Sequence, residues 1–90
     1  MRTFIDDDAG YLGWISEHPV GYVLNLERSL NPTYLMRHRA ECHTIRGVPP
    51  GGEHWTIDPI KGCSMVRTEL ERWAEAEVGG APAECKFCKP

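Results

Sequence analysis

No apolar run in this 90-residue chain approaches the roughly 20 residues that a bilayer-spanning helix needs. The start, Met1-Arg2-Thr3-Phe4-Ile5 followed by Asp6-Asp7-Asp8, has no basic segment leading into an apolar one, so no secretory signal is expected. These two absences imply a cytoplasmic location, where stable disulfides are rare. Positive charge is also scarce. A net charge of −3 excludes a general polyanion binder, which would be basic overall. The chain has no phosphate-cradling Walker loop, no Ser-His-Asp set and no paired carboxylates with a pocket, and each absence removes a class of enzyme. There is no internal repeat and no low-complexity tract.

What is present fits one small folded unit. With 41% hydrophobic and 26% charged residues the composition excludes disorder. Residues 1–90 are read as a single α+β domain, whose core alone supplies only about 3–5 kcal/mol. A staple is therefore expected. Charge is uneven: residues 1–27 carry −4, residues 28–67 carry +3 and residues 68–90 carry −2. A local basic face in the middle of the chain is compatible with that pattern.

Tyr11, Trp14, Ile15 and His18 are spaced as the apolar stripe of an N-terminal helix, capped by the aspartates and stopped by Pro19. Val20 to Leu26 and Thr33 to Arg39 read as two antiparallel strands joined by a loop from Glu27 to Pro32. In the second, Tyr34, Met36 and His38 share one face, and Leu35, Arg37 and Arg39 the other. Gly47 to Gly52 is a loop. His54 to Ile57 reads as a third strand, with Ile60 to Cys63 resuming it after Asp58-Pro59. A C-terminal helix is expected from Met65 to Val78, with Val66, Leu70, Trp73 and Ala74 inward. Ser64 or Thr68 would cap it, and Gly79-Gly80 would end it.

Cys42, Cys63 and the pair in Cys85-Lys86-Phe87-Cys88 suggest one structural zinc ion per chain, held by four thiolates. Such a site would tie the hairpin, the third strand and the C-terminal tail together. Buried free thiols and disulfides are the competing readings. A redox pair is disfavoured because no helix follows Cys85-x-x-Cys88 to lower a thiol pKa. His38, four residues before Cys42, is the reserve ligand, and His43 beside Cys42 is a further candidate. His18 and His54 read as structural, and Asp6 to Asp8 as a solvated cap rather than a magnesium site.

Gly21-Tyr22-Val23 and Tyr34-Leu35-Met36 lack the second glycine of the GIY-YIG nuclease tripeptides, and a hairpin accounts for them. The strings Tyr11-Leu12-x-Trp14-Ile15, His18-Pro19-x-Gly21-Tyr22-Val23-Leu24-Asn25, His38-Arg39-Ala40-x-Cys42-x-x-Ile45 and Leu70-x-x-Trp73-Ala74, with the terminal Cys-x-x-Cys, cover nearly the whole chain. Together they resemble a small uncharacterised cysteine-containing domain of bacterial or phage proteins, found alone or beside nuclease or restriction-type domains. The resemblance implies a shared metal site and a nucleic-acid context, and it assigns no catalytic residue.

The expected function is a non-enzymatic, zinc-stabilised interaction module. Its partner would be nucleic acid or a nucleic-acid-processing protein, with no membrane and no small-molecule substrate indicated. Arg37, Arg39 and Arg46 would contact phosphates, with Leu35 or Trp55 adding an apolar contact. The alternative is a protein-binding regulator or inhibitor, a phage or host defence factor, using the acidic ends of the chain.

Overall fold

The computed structural model describes residues 1–90, except the side chain of Pro50. In chain order it forms β1 (Arg2–Phe4), α1 (Asp8–Glu17), β2 (Tyr22–Leu26), β3 (Leu35–Arg39), β4 (Ile60–Ser64), α2 (Arg67–Glu77) and β5 (Ala83–Glu84). Single helical turns lie at His43–Ile45 and Pro50–Gly52. The α+β class holds, but the sheet has five strands in the order β1-β4-β2-β3-β5 instead of the expected three. The first three pairings along that order are antiparallel and β3–β5 is parallel. The two extra strands are three and two residues long, too short for alternation to announce them.

The hairpin runs in register from Tyr22↔Arg39 to Leu26↔Leu35. Because opposite residues point to the same side, β2 sorts its side chains onto two faces. Leu24 and Leu26 join Leu35, Ile60, Leu70 and Ala74 beneath α2. Val23 points the other way, into a cluster with Phe4, Tyr11, Trp14, Ile15, Ile45, Trp55 and Cys63 beneath α1. The sheet is thus covered on both faces.

Helix α1 begins at Asp7, whose carboxylate accepts from the Gly10 amide at 2.9 Å. A Cβ on Gly10 would lie 2.2 Å from that carboxylate, so the residue that weakens the helix interior also makes room for its cap. Asp8 goes further than a solvated cap. Its carboxylate accepts from the Trp55 and Thr56 amides, both at 2.9 Å, and from the Thr56 hydroxyl at 2.6 Å.

Those bonds explain the main correction to the sequence reading. His54 to Ile57 is an irregular segment and not a strand. The Trp55 and Thr56 amides bond Asp8, the Thr56 carbonyl accepts from the Asp6 amide at 2.7 Å, and the Trp55 carbonyl accepts from Lys61 Nζ at 2.7 Å. Backbone groups committed to these partners are unavailable to a ladder. The strand is Ile60–Ser64, the segment expected only to resume it.

Helix α2 starts at Arg67, without a capping side chain at Val66. Ser64 Oγ instead accepts from the Val66 amide at 3.0 Å and donates to Glu69 at 2.6 Å, and the Thr68-Glu71 capping box is unused. Val66, expected inward, is exposed. Gly79, at φ +86°, ends the helix with its amide on the Ala74 carbonyl. Leu70 is fully buried and Trp73 only partly so. Leu70→Ala should therefore cost about 2–5 kcal/mol, and Trp73→Ala distinctly less. Denaturant unfolding of the two variants would check that order.

Lys61 is 2% exposed, with its ammonium near the Tyr11 and Trp55 rings. Burial lowers its pKa from the usual 10.5 to about 8, while Cys63 and Asp8 act in the opposite direction. Between about pH 8 and 10.5 the unfolded chain holds this proton and the folded chain does not, so stability rises with pH across that window. Measured against Lys61→Met, the parent should gain relative stability from pH 8 to 10.5. A difference that stays constant with pH would mean that burial does not perturb the ammonium.

Candidate metal centre

Strand β3 ends by presenting His38 on the α1 side of the sheet. The chain then turns, with the Ala40 amide on the Gly21 carbonyl at 2.9 Å and the Cys42 amide on the Arg39 carbonyl at 3.0 Å. Buried Ala40 and Ile45 bracket Cys42 and fix it against the core. From the other end of the chain, β5 pairs with β3 through Met36↔Ala83 and Arg37↔Glu84. The Cys85 amide continues that pairing onto the Arg37 carbonyl at 3.0 Å. A tight turn, closed by the Lys89 amide on the Cys85 carbonyl at 2.9 Å, then brings Cys88 back.

The result is a group of four ligand atoms, from His38, Cys42, Cys85 and Cys88, all within 4.8 Å of one another. They are close enough to hold a metal ion. His38, Cys42 and Cys85 are buried and Cys88 is half-buried. The Arg39 amide donates to Cys88 Sγ at 3.2 Å, and the Thr44 hydroxyl lies 3.0 Å from Cys42 Sγ. Thr44 is also 3.5 Å from His38 Nδ1, a long contact that still places it beside two candidate ligands at once. Nothing in the spacing Cys42-x-Thr44 distinguishes this threonine in the sequence.

Protonation follows from the surroundings. Burial, helped by the positive charge of Lys61, lowers the His38 imidazole to about 4, so the ring is neutral at physiological pH, as a metal ligand must be. Burial raises the Cys85 thiol, yet the amides of Cys88 and Phe87 together with hydrogen bonds from the Cys88 and Cys42 thiols leave it below the usual value. Burial pushes the Cys88 thiol up to about 11, against the pull of the Arg39 amide.

Cys63 stands apart, and the expected ligand set is corrected there. It sits on β4 opposite Val23, while His38 sits on β3 opposite the same Val23. Two strand spacings, roughly 9–10 Å, separate them, too far for one ion with bonds near 2.3 Å. Cys63 is a core thiol, fully buried and pushed up to about 12 by that burial. The reserve ligand His38, and not Cys63, is the residue that lies with Cys42, Cys85 and Cys88. His43 lies outside the group, edge-on to Phe87. His18 stacks on Trp14 with ring centroids 4.4 Å apart, and exposed His54 lies 3.6 Å from Asp8.

The expected basic face is also corrected. Arg37 is 5% exposed and its guanidinium is held by Glu71 at 2.6 Å and Glu84 at 2.9 Å, which join β3 to α2 and β5. Leu35 and Trp55 are buried as well and offer no surface contact. Arg39 and Arg46 are exposed. The Arg39 guanidinium donates to the Cys88 carbonyl at 3.0 Å and the Lys89 carbonyl at 3.1 Å.

No helix among the described residues is long and apolar enough to cross a membrane. No family model matches the chain, and no curated protein or solved structure matches it either.

If the group holds a metal ion, removing it should expose Cys42, Cys85 and Cys88 to alkylation while Cys63 stays protected until the core unfolds. Cys63→Ser should leave metal stoichiometry unchanged, whereas Cys88→Ser and His38→Ala should reduce it. Mass-resolved alkylation with and without chelator checks both, and loss of metal in Cys63→Ser would restore it as a ligand.

Proposed function

We propose that the chain is a non-enzymatic interaction module stapled by one zinc ion, acting in the cytoplasm with nucleic acid or a nucleic-acid-processing protein. The observation that carries this reading is the convergence of three sulfurs and one imidazole nitrogen within 4.8 Å. Zinc suits that donor set, because soft thiolates with a neutral imidazole form one of its standard structural sites. The Cys42 and Cys85 sulfurs are 3.9 Å apart. Two bonds of about 2.3 Å at the tetrahedral angle would give about 3.8 Å. Four protein ligands fill a tetrahedral ion and leave no place for a reacting water, which supports a structural role over a catalytic one.

Zinc would act through connectivity. The ligands come from the end of β3, the turn after it and the tail, so the ion would hold the tail to the sheet edge where β5 alone has two residues of pairing. Structural zinc sites are worth on the order of 10–16 kcal/mol in apparent binding energy at neutral pH. That exceeds the about 3–5 kcal/mol expected of so small a core. Of the arginines first considered, Arg39 and Arg46 are the ones available for phosphate contact.

Native mass spectrometry should find one zinc per chain. Hydrogen exchange after chelation should increase first in residues 80–90 and around Cys42, with β2 and β4 protected longest. A metal-free chain with an unchanged exchange pattern would refute the staple. Binding to DNA or RNA that weakens steeply with salt would support the nucleic-acid partner. A zinc-loaded chain that binds neither at low salt would refute it.

A further inference from the structure

Phe87 lies inside the metal-binding turn, between Cys85 and Cys88, and is 62% exposed. It is the most exposed aromatic side chain of the protein among the described residues and makes no part of either core cluster. The turn is not loose. Its ends are pinned by the Cys85 amide on β3 and the Arg39 amide on Cys88 Sγ, and the Lys89 amide closes it. A rigid turn that holds a phenyl ring in water gains nothing in folding from doing so.

The ring's neighbours carry positive charge or an aromatic edge. Lys86 Nζ is 5.4 Å from the Phe87 centroid, and the His43 ring meets Phe87 edge-on at 5.5 Å. Arg39 is fixed against the same turn by its bonds to the Cys88 and Lys89 carbonyls, and Lys89 is exposed beside it. A cleft of about 420 Å³ opens alongside, lined by Met36, Thr44, Glu84, Lys86 and Phe87 with the ligands His38 and Cys85. The carboxylate in that lining, Glu84, is paired with Arg37 at 2.9 Å, which leaves the cations of the turn to set the local field.

We infer that this turn binds single-stranded nucleic acid, with Phe87 stacking on an unpaired base and Lys86, Lys89 and Arg39 contacting the flanking phosphates. The inference rests on the nucleic-acid reading above and relocates its contact surface from the sheet to the metal turn. An exposed ring flanked by cations suits alternating bases and phosphates. A duplex hides its base faces, so an unpaired strand is the occupant that uses the ring.

The test is fluorescence anisotropy of the full chain, purified with zinc, against labelled oligothymidylate, its ribose counterpart and a duplex. Phe87→Ala and Phe87→Leu should each weaken single-strand binding by roughly 5- to 150-fold, the value of one lost stack, with zinc content and melting temperature unchanged. Phe87→Tyr should retain it. Leucine keeps an apolar side chain without a π face, so it separates stacking from simple hydrophobicity and stands in if the alanine variant loses zinc. Replacing both Lys86 and Lys89 with Gln should weaken binding and flatten its salt dependence. Parent binding that survives both Phe87 substitutions overturns the stacking site and leaves the wider nucleic-acid reading standing. Failure of the parent to bind any of the three probes removes both. Displacement of the strand by polyglutamate, with the same dependence on Phe87, would overturn the inference in favour of an acidic peptide.

Discussion

Val23 has Cys63 on one side of it and His38 on the other, and the rest of the protein is arranged around that spacing. The middle strand is buried on both faces, so its register against β3 and β4 is fixed by which side chains leave water. Once it is fixed, β4 belongs to the core and β3 to the sheet half that faces the tail. The strand that carries His38 is also the one that pairs with β5, and that pairing delivers Cys85.

The charged groups inside so small a structure are all tied to something. Asp8 organises the Trp55–Thr56 segment, Lys61 donates to Trp55 from the opposite side, and Arg37 links α2 to β5 through two carboxylates. Buried charge costs several kcal/mol unless it is paired and hydrogen-bonded, so each of these groups is held by the segments it joins. The carboxylates around Arg37 are partly exposed, which softens both the cost and the gain. At the sheet's far edge the group of His38, Cys42, Cys85 and Cys88 likewise draws its donor atoms from two distant parts of the chain.

A tail held by two residues of strand pairing and by hydrogen bonds to Arg37 and Arg39 is also well placed to carry a binding surface. Its backbone is fixed without any side chain of Lys86 or Phe87 being used to fix it, so those side chains are free to face solvent. Arg39 bonds both parts of the turn: its amide donates to the Cys88 sulfur while its guanidinium lies against the carbonyls of Cys88 and Lys89.

The residue pattern alone determined the first helix with its buried Tyr11, Trp14 and Ile15, the hairpin with its two faces, and the second helix with its glycine stop, and it marked Cys42, Cys85 and Cys88 as candidate ligands. The elements and the Cys85-x-x-Cys88 pair rest on local signals, which act over a few residues and survive any rearrangement of distant ones, whereas Cys42 was marked by residue type alone. Tertiary structure decided the rest. His54 to Ile57 has the composition of a strand, and it was Asp8, 47 residues away from Trp55, that took its amides. Arg37 alternates like a surface residue, and burial beneath α2 with two carboxylates in reach made it a joint. Cys63 and His38 are both plausible ligands by type, and only the order of strands in the sheet determined which stands within 4.8 Å of the other sulfurs. Strand order is a property of long-range pairing, and no window of neighbouring residues contains it.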